Sequence, residues 1–141
     1  MNNMDVTSLP FNQFIGLKVS VKSGYILILD NRTEYRNHLD TVHASAQFAL
    51  AEATSGYFLI NEFSELTDIV PVVRKVETKY RKPATNAVFS KAQFQETEKD
   101  EVLNALKQKG RTTLKIEVSL FDETDALVMQ SVFEWFVAKN T

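Results

Sequence analysis

Apolar and polar residues alternate in six segments of the chain, which predicts β-strands. The alternation is cleanest where Leu114 and Ile116 lie on one face and Lys115 and Glu117 on the other. Ser23-Gly24 separates the first two segments and is typical of a β-hairpin turn. The predicted strands span residues 17–21, 25–30, 69–79, 85–94, 111–121 and 126–137.

Three other segments have the pattern of helices. A short N-terminal helix has Pro10 in its first turn and ends at Gly16. Residues 97–109 form a charged amphipathic helix closed by Gly110. Residues 44–60 contain no proline and carry apolar side chains and five alanines around the whole helical wheel. A helix that is apolar on nearly all sides is buried.

This order of elements predicts one α+β domain over residues 1–141. A sheet of about six antiparallel strands has two faces, and only one strongly apolar helix is available to cover them. The physical solution is a sheet curled around the central helix. We expect the opposite face of the sheet to be solvated or covered by a partner chain.

Composition narrows the class of protein further. The chain has 141 residues, a formal net charge of −2 and no cysteine. These values exclude disulfides, thiolate metal sites and a cysteine nucleophile, and they give no reason to expect nucleic acid. The N-terminal residues lack the basic start and apolar run of a signal peptide, and no run of about 18 apolar residues occurs. We therefore expect a cytoplasmic protein.

Polar residues before the central helix allow two weak interpretations. His38, Asp40 and His43 are acceptable metal ligands, but their spacing matches no zinc pattern, and we predict no metal site. Ser45 with His43 suggests a serine triad, yet no nucleophile elbow is present. A serine in the first turn of a helix is usually a cap.

Glu52 carries more information, because it is the only charged residue between His43 and Asn61. A carboxylate in an apolar helix either extends to a solvated edge or lies in a functional cleft with a perturbed pKa, and structural ion pairs explain many such cases. The backbone N–H groups of Ala44 and Ser45, at the start of the same helix, form a possible site for a developing oxyanion.

The run from Asn37 to Glu52, which includes Phe48-Ala49-Leu50-Ala51-Glu52, resembles the active-site segment of hotdog-fold acyl-CoA thioesterases, specifically the phenylacetate-pathway-like branch. The later Tyr80-Arg81-Lys82-Pro83-Ala84 is similar to the Tyr-x-x-Pro-Ala motif of that branch. The resemblance implies a hotdog fold and hydrolysis of an acyl-CoA thioester, with no cofactor beyond the CoA of the substrate.

The resemblance also implies roles for individual residues. Glu52 matches the catalytic carboxylate, which acts as nucleophile or general base. Asn37 matches the residue that places the water or nucleophile, and His43 matches the histidine at the helix start. Ala44 and Ser45 match the residues whose backbone N–H groups polarise the thioester carbonyl.

Three positions depart from the pattern of that family. Asp40 and Ser45 stand where small glycines are common. Val73 stands where some relatives carry a hydroxyl residue. Losing that hydroxyl could slow turnover or mark a protein that binds acyl-CoA without hydrolysing it well.

Helical geometry predicts that the active site is shared between two chains. His43 and Glu52 are nine positions apart. This spacing is about 900° and about 13 Å along the axis, which leaves them on opposite faces. We therefore expect a homodimer or dimer of dimers in which Glu52 comes from a second, antiparallel helix. Small residues would permit the two helices to approach, namely Ser45, Ala49, Ala53 and Gly56.

Two rival functions remain open, a non-catalytic module that holds an acyl-CoA or acyl-carrier thioester and a hotdog dehydratase acting on 3-hydroxyacyl thioesters. Basic residues at positions 74–82, with Lys91 and Arg111, could meet the phosphates of CoA or could simply discourage pairing at a strand edge. None of them is assigned as a CoA contact.

Overall fold

The computed structural model describes residues 4–140 and contains the predicted helices and strands. The bounds are α1 Pro10–Ile15, α2 Ala44–Glu62, α3 Lys99–Lys109, β1 Lys18–Val19, β2 Leu27–Leu29, β3 Ile69–Tyr80, β4 Val88–Phe94, β5 Arg111–Phe121 and β6 Leu127–Lys139. The hairpin strands β1 and β2 are shorter than predicted. Among the helices of residues 4–140, none has both the length and the apolar composition needed to cross a bilayer.

The six strands form one antiparallel sheet in the order β1-β2-β4-β5-β6-β3. Helix α2 packs on one face and contacts β2, β4, β5 and β6. Alternate side chains of β5 and β6, such as Ile116 and Phe133, are fully buried on this face. The predicted curled sheet around a central helix is confirmed.

The opposite face of the sheet is polar and partly exposed. Lys75 and Glu77 form an ion pair there at 3.4 Å, and Lys115, Glu117 and Glu134 project on the same side of β5 and β6. Alternation of this kind is typical of an antiparallel sheet with one solvated face. The cover of this face by solvent or by a partner chain stays a prediction.

Two glycines end helices as predicted, because each adopts a left-handed conformation that other residues rarely accept. Gly16 has φ 88° and donates its N–H to the carbonyl of Asn12. Gly110 has φ 76° and donates to the carbonyl of Leu106. Both are C-terminal caps of α-helices.

Strand β3 forms a long free edge of the sheet. The other edge strand, β1, has only two residues, whereas β3 has twelve. Val70 and Val72 on β3 are 44% and 52% exposed, and a bulge at Arg74 interrupts the pairing with β6. An exposed edge of this length is a template for pairing with another chain.

Candidate functional site

The N-terminus of α2 is capped by an imidazole. His43 has φ −61° and ψ 140°, and its Nδ1 accepts a hydrogen bond of 2.9 Å from the N–H of Ser45. The interpretation of Ser45 as the cap is therefore wrong. Accepting at Nδ1 leaves the proton of the neutral imidazole on Nε2.

This cap changes which backbone amides are free at the start of α2. The N–H of Ser45 already has a partner in His43, but within residues 4–140 no acceptor lies in hydrogen-bond range of the N–H of Ala44. An unpaired N–H at the positive end of a long helix favours negative charge. The oxyanion role of Ala44 and Ser45 stays a prediction, with Ala44 as the better placed donor.

Asn37 organises the loop that leads into α2. Its Oδ1 accepts hydrogen bonds from the N–H groups of Leu39 and Thr41 at 2.9 and 3.0 Å, and its Nδ2 donates to Oγ1 of Thr41 at 2.9 Å. Asp40 in the same loop has φ 57°. Glycine is favoured at such a position and aspartate tolerates it. The predicted contact of Asn37 with a water or nucleophile is untested.

The Tyr-x-x-Pro-Ala motif holds the start of α2 from the side of β3. The hydroxyl of Tyr80 donates to the carbonyl of Ala44 at 3.1 Å. The carbonyl of Ala84 accepts from the N–H of Val42 at 2.8 Å. Burial raises the pKa of Tyr80, which keeps its hydroxyl protonated as a donor. These two residues position the helix terminus, a role that the motif alone did not reveal.

Glu52 is half-buried on α2 and has no charged partner. Within residues 4–140, no cation lies within salt-bridge distance of its carboxylate and no donor bonds to it. Burial raises the pKa of Glu52, because a low-dielectric surrounding disfavours the ionised form. The structural ion pair is absent from the described part of the chain, and the role of Glu52 as a functional carboxylate stays a prediction.

An open groove of about 410 Å³ runs along α2 on the side of its N-terminus. Ser45 and Glu52 both line it, because seven positions bring two residues back to the same helical face. The other lining residues are Phe11, Phe48, Ala49 and Val73. Val73 therefore lies beside Glu52, where a hydroxyl would meet the same groove.

A second cleft of about 220 Å³ lies on the other side of Glu52. It separates the N-terminal segment from the face of α2 that carries Ala53 and Gly56, and Trp135 of β6 also lines it. The sequence pattern did not predict this cleft. Its only signal in the sequence was the apolar character of Val6 and Leu9 before the first helix.

Three of the four small residues predicted to face a second helix, Ala49, Ala53 and Gly56, pack against other parts of the same chain. Ala49 and Ala53 are only 7% and 2% exposed, and Gly56 faces the indole of Trp135. Of the four small residues, Ser45 is the one that is exposed. Within the chain, the N-terminal segment and β6 lie on the side of α2 that carries Ala53 and Gly56. The approach of a second helix along the small residues stays a prediction.

The candidate metal ligands and basic residues do not line the groove or the cleft that Glu52 lines. In residues 4–140, no group of three His, Cys, Asp or Glu side chains could hold a metal ion. Several of the basic residues considered for CoA have partners: Lys82 forms an ion pair with Asp122 at 3.7 Å, and the guanidinium of Arg74 lies 4.5 Å from the ring centre of Phe136. Their contact with CoA remains unassigned.

Solved structures with a similar fold include three bacterial proteins. A Pseudomonas aeruginosa protein of unknown function, described as a probable thioesterase, matches with a TM-score of 0.79 and 22% identity, covering 95% of this chain and 91% of its own. A thioesterase of Haemophilus influenzae matches with a TM-score of 0.73 and 14% identity, covering 96% and 87%. A Bacillus halodurans protein solved with CoA matches with a TM-score of 0.63 and 17% identity, covering 79% and 69%. At these identities the likeness concerns the fold, and the predicted hotdog fold is confirmed.

Sequence comparison is more specific about family than about activity. Among curated proteins, no sequence matches the chain. A family profile described as a domain of unknown function, DUF4442, matches residues 8–137, which is nearly the whole chain. The chain is thus a member of the DUF4442 family.

Proposed function

We propose that this protein is an acyl-CoA thioesterase that cleaves a thioester to a free acid and CoA, with Glu52 as nucleophile or general base. The observation that carries the proposal is the half-buried carboxylate of Glu52, which has no partner among residues 4–140 and lies between a groove and an apolar cleft. The thioesterase of Haemophilus influenzae and the CoA-bound protein of Bacillus halodurans, which share the fold, support the choice of reaction and substrate.

As a general base, Glu52 takes a proton from water while the oxygen attacks the thioester carbon. Negative charge then develops on the carbonyl oxygen, and an N–H at the start of α2 stabilises it. The C–S bond breaks, and the sulfur of CoA leaves with the proton that Glu52 held. The raised pKa of Glu52 suits this exchange, because a carboxylate that binds a proton more tightly is a stronger base.

As a nucleophile, Glu52 attacks the thioester carbon directly and forms an anhydride as the CoA thiolate leaves. Water then hydrolyses the anhydride and restores the carboxylate. Both routes need the ionised form of Glu52 at the start, and both place the negative oxygen near the same amides. Asn37 and His43 are proposed to orient the water and the substrate carbonyl, with Nε2–H of His43 as the donor.

The site is proposed to form between two copies of the chain. Ala44 and Glu52 are eight positions apart, which is about 12 Å along the axis, so one carbonyl cannot contact both in a single chain. The long free edge of β3 supports pairing of two copies, and Ser45 remains exposed in the groove beside Glu52. The assembly is a homodimer or a dimer of dimers.

A non-catalytic acyl-thioester binding protein is the second candidate. Two observations favour it: Val73 presents no hydroxyl to the groove, and the N–H of Ser45 is already bonded to His43. Such a protein would bind acyl-CoA tightly and release no thiol.

The test compares the native protein, Glu52→Gln and Glu62→Gln in the hydrolysis of a panel of acyl-CoA substrates. Hydrolysis is measured as release of the free thiol of CoA. The panel includes acetyl-, hexanoyl-, phenylacetyl- and palmitoyl-CoA. Activity on phenylacetyl-CoA also tests the resemblance to the phenylacetate-pathway-like branch. Glu62 is a carboxylate at the end of the same helix and outside both the groove and the cleft, which makes it a matched control. Loss of about 10²- to 10⁴-fold in Glu52→Gln alone is expected for a general base. Equal rates in the native protein and Glu52→Gln would exclude this role.

A further inference from the structure

We infer that the cleft between residues 4–12 and α2 binds the acyl part of the thioester, and that Gly56 and Trp135 limit it to a short aliphatic or single-ring group. The identification of the ligand as a thioester rests on the proposed function. The cleft itself and its size are independent of that proposal.

The cleft begins at Glu52, next to the proposed position of the thioester carbonyl carbon. Glu52, Gly56 and Ile60 follow one another at intervals of four and line one face of α2. The cleft therefore extends about 12 Å from Glu52 toward the C-terminal end of the helix. A thioester whose carbonyl lies at Glu52 can place its acyl tail in this direction, away from the helix N-terminus.

The lining selects for an apolar group with a neutral head. Most of it comes from aliphatic and aromatic side chains, and among residues 4–140 Glu52 is the only charged residue that lines it. A thioester is uncharged, so its carbonyl can lie beside this carboxylate. Hydrolysis produces a second carboxylate at the same place, and repulsion between like charges favours release of the acid.

The volume sets the size of the group. An apolar cavity of about 150 Å³ is large enough to bind benzene. The cleft of about 220 Å³ is therefore large enough for one ring or a short aliphatic chain, but too small for the chain of a long fatty acid.

The floor of the cleft is held in place by hydrogen bonds. Nε1 of Trp135 donates to Oγ of Ser55 at 3.2 Å, and that hydroxyl donates to the carbonyl of Glu52 at 2.8 Å. A Cβ on Gly56 would lie 3.8 Å from the indole, an ordinary contact that needs no rearrangement. Gly56 thus leaves space that a methyl group would fill.

The roof of the cleft is held by burial of Val6 in the core. Val6 is 4% exposed, and its carbonyl accepts a hydrogen bond of 3.0 Å from Nδ2 of Asn12. Leu9 at the rim is 38% exposed. Hydrogen bonds of Trp135 and Ser55 hold the floor, and moving the roof away would expose the buried side chain of Val6 to water. A pocket held in this way discriminates between acyl groups by size.

The test compares Gly56→Ala with the native protein across the acyl-CoA panel. Ala is preferred to Gly in helices, so the variant is expected to fold. Asn104→Ala is the matched control, since it changes an exposed position of α3 far from the cleft and also raises helix propensity. We expect kcat/KM for hexanoyl- and phenylacetyl-CoA to fall roughly tenfold or more in Gly56→Ala, with acetyl-CoA unchanged. An unchanged acyl profile, with hydrolysis intact, would overturn the inference and leave the proposed function standing.

Binding without hydrolysis provides a separate readout. Trp135 is the only tryptophan of the chain, so its fluorescence reports on the cleft. In Glu52→Gln we expect hexanoyl-CoA to change the emission, and CoA alone and palmitoyl-CoA to leave it unchanged. This pattern would support the cleft even if no acyl-CoA were hydrolysed and the proposed function failed. An identical response to CoA and hexanoyl-CoA would contradict the inference.

Discussion

Nδ1 of His43 accepts a hydrogen bond from the N–H of Ser45 at 2.9 Å, and this contact closes the first turn of the central helix. The resemblance implies a catalytic role for His43, and the structure shows that the same side chain also caps the N-terminus of α2. The two tasks use different atoms, because the cap occupies Nδ1 and leaves Nε2–H for substrate.

Substitutions at His43 separate these two tasks. His43→Ala removes the cap and should lower the free energy of unfolding by about 1 kcal/mol, measured in urea. His43→Asn keeps a capping oxygen and should preserve stability, but it lacks the imidazole and should still lose thioester hydrolysis. Native activity in His43→Asn would show that the imidazole acts only as a cap.

Mixing two inactive variants tests the shared site. When Glu52→Gln and His43→Asn chains are expressed together, each mixed dimer contains one site with both substitutions and one site with neither. Roughly a quarter of native activity should return if the two variants pair at random in a symmetric dimer. Sites formed within one chain would give no recovery, and a monomer in sedimentation would contradict the dimer directly.

The fold could be predicted from the sequence because local patterns dictate it. The alternation in β5 and the glycines at positions 16 and 110 each specify a structure through nearby residues alone. The pattern of apolar residues around α2 likewise predicts burial without any knowledge of its neighbours.

The candidate site could be predicted only in part from local sequence patterns. Glu52 is conspicuous because it interrupts an apolar helix, but the cleft beside it requires Val6, Gly56 and Trp135 to come together from distant parts of the chain. The burial of Ala53 follows from the same packing, which the sequence pattern of α2 does not specify. The cap at His43 depends on a side-chain conformation that residue type does not specify.

The stability of the protein should depend on pH through Glu52. Burial raises the pKa of its carboxyl in the folded state above the unfolded value. The folded protein therefore holds this proton more tightly, and its contribution to stability is fully present below the unfolded pKa and is lost as pH rises through the folded pKa. Glu52→Gln should become more stable relative to the native protein as pH rises from 4 to 8, measured by thermal unfolding. Glu62→Gln is the matched control for removal of a carboxylate from this helix, and a parallel change in both variants would contradict a specific role of Glu52.

Substitution of Val73 tests whether the hydroxyl that some relatives carry at this position contributes to hydrolysis. Thr has nearly the shape of Val, and at this half-buried position in the groove its hydroxyl would lie next to Glu52. If it donates to the reacting oxygen or orients the water, a hydrogen bond of about 1 kcal/mol should raise kcat/KM by roughly five- to tenfold. Val72→Thr is the control, because Val72 lies on the same strand, faces the other side of the sheet and is 52% exposed. A gain confined to Val73→Thr would show that the apolar residue at this position limits turnover, whereas equal rates in both variants would show that Val73 does not limit it.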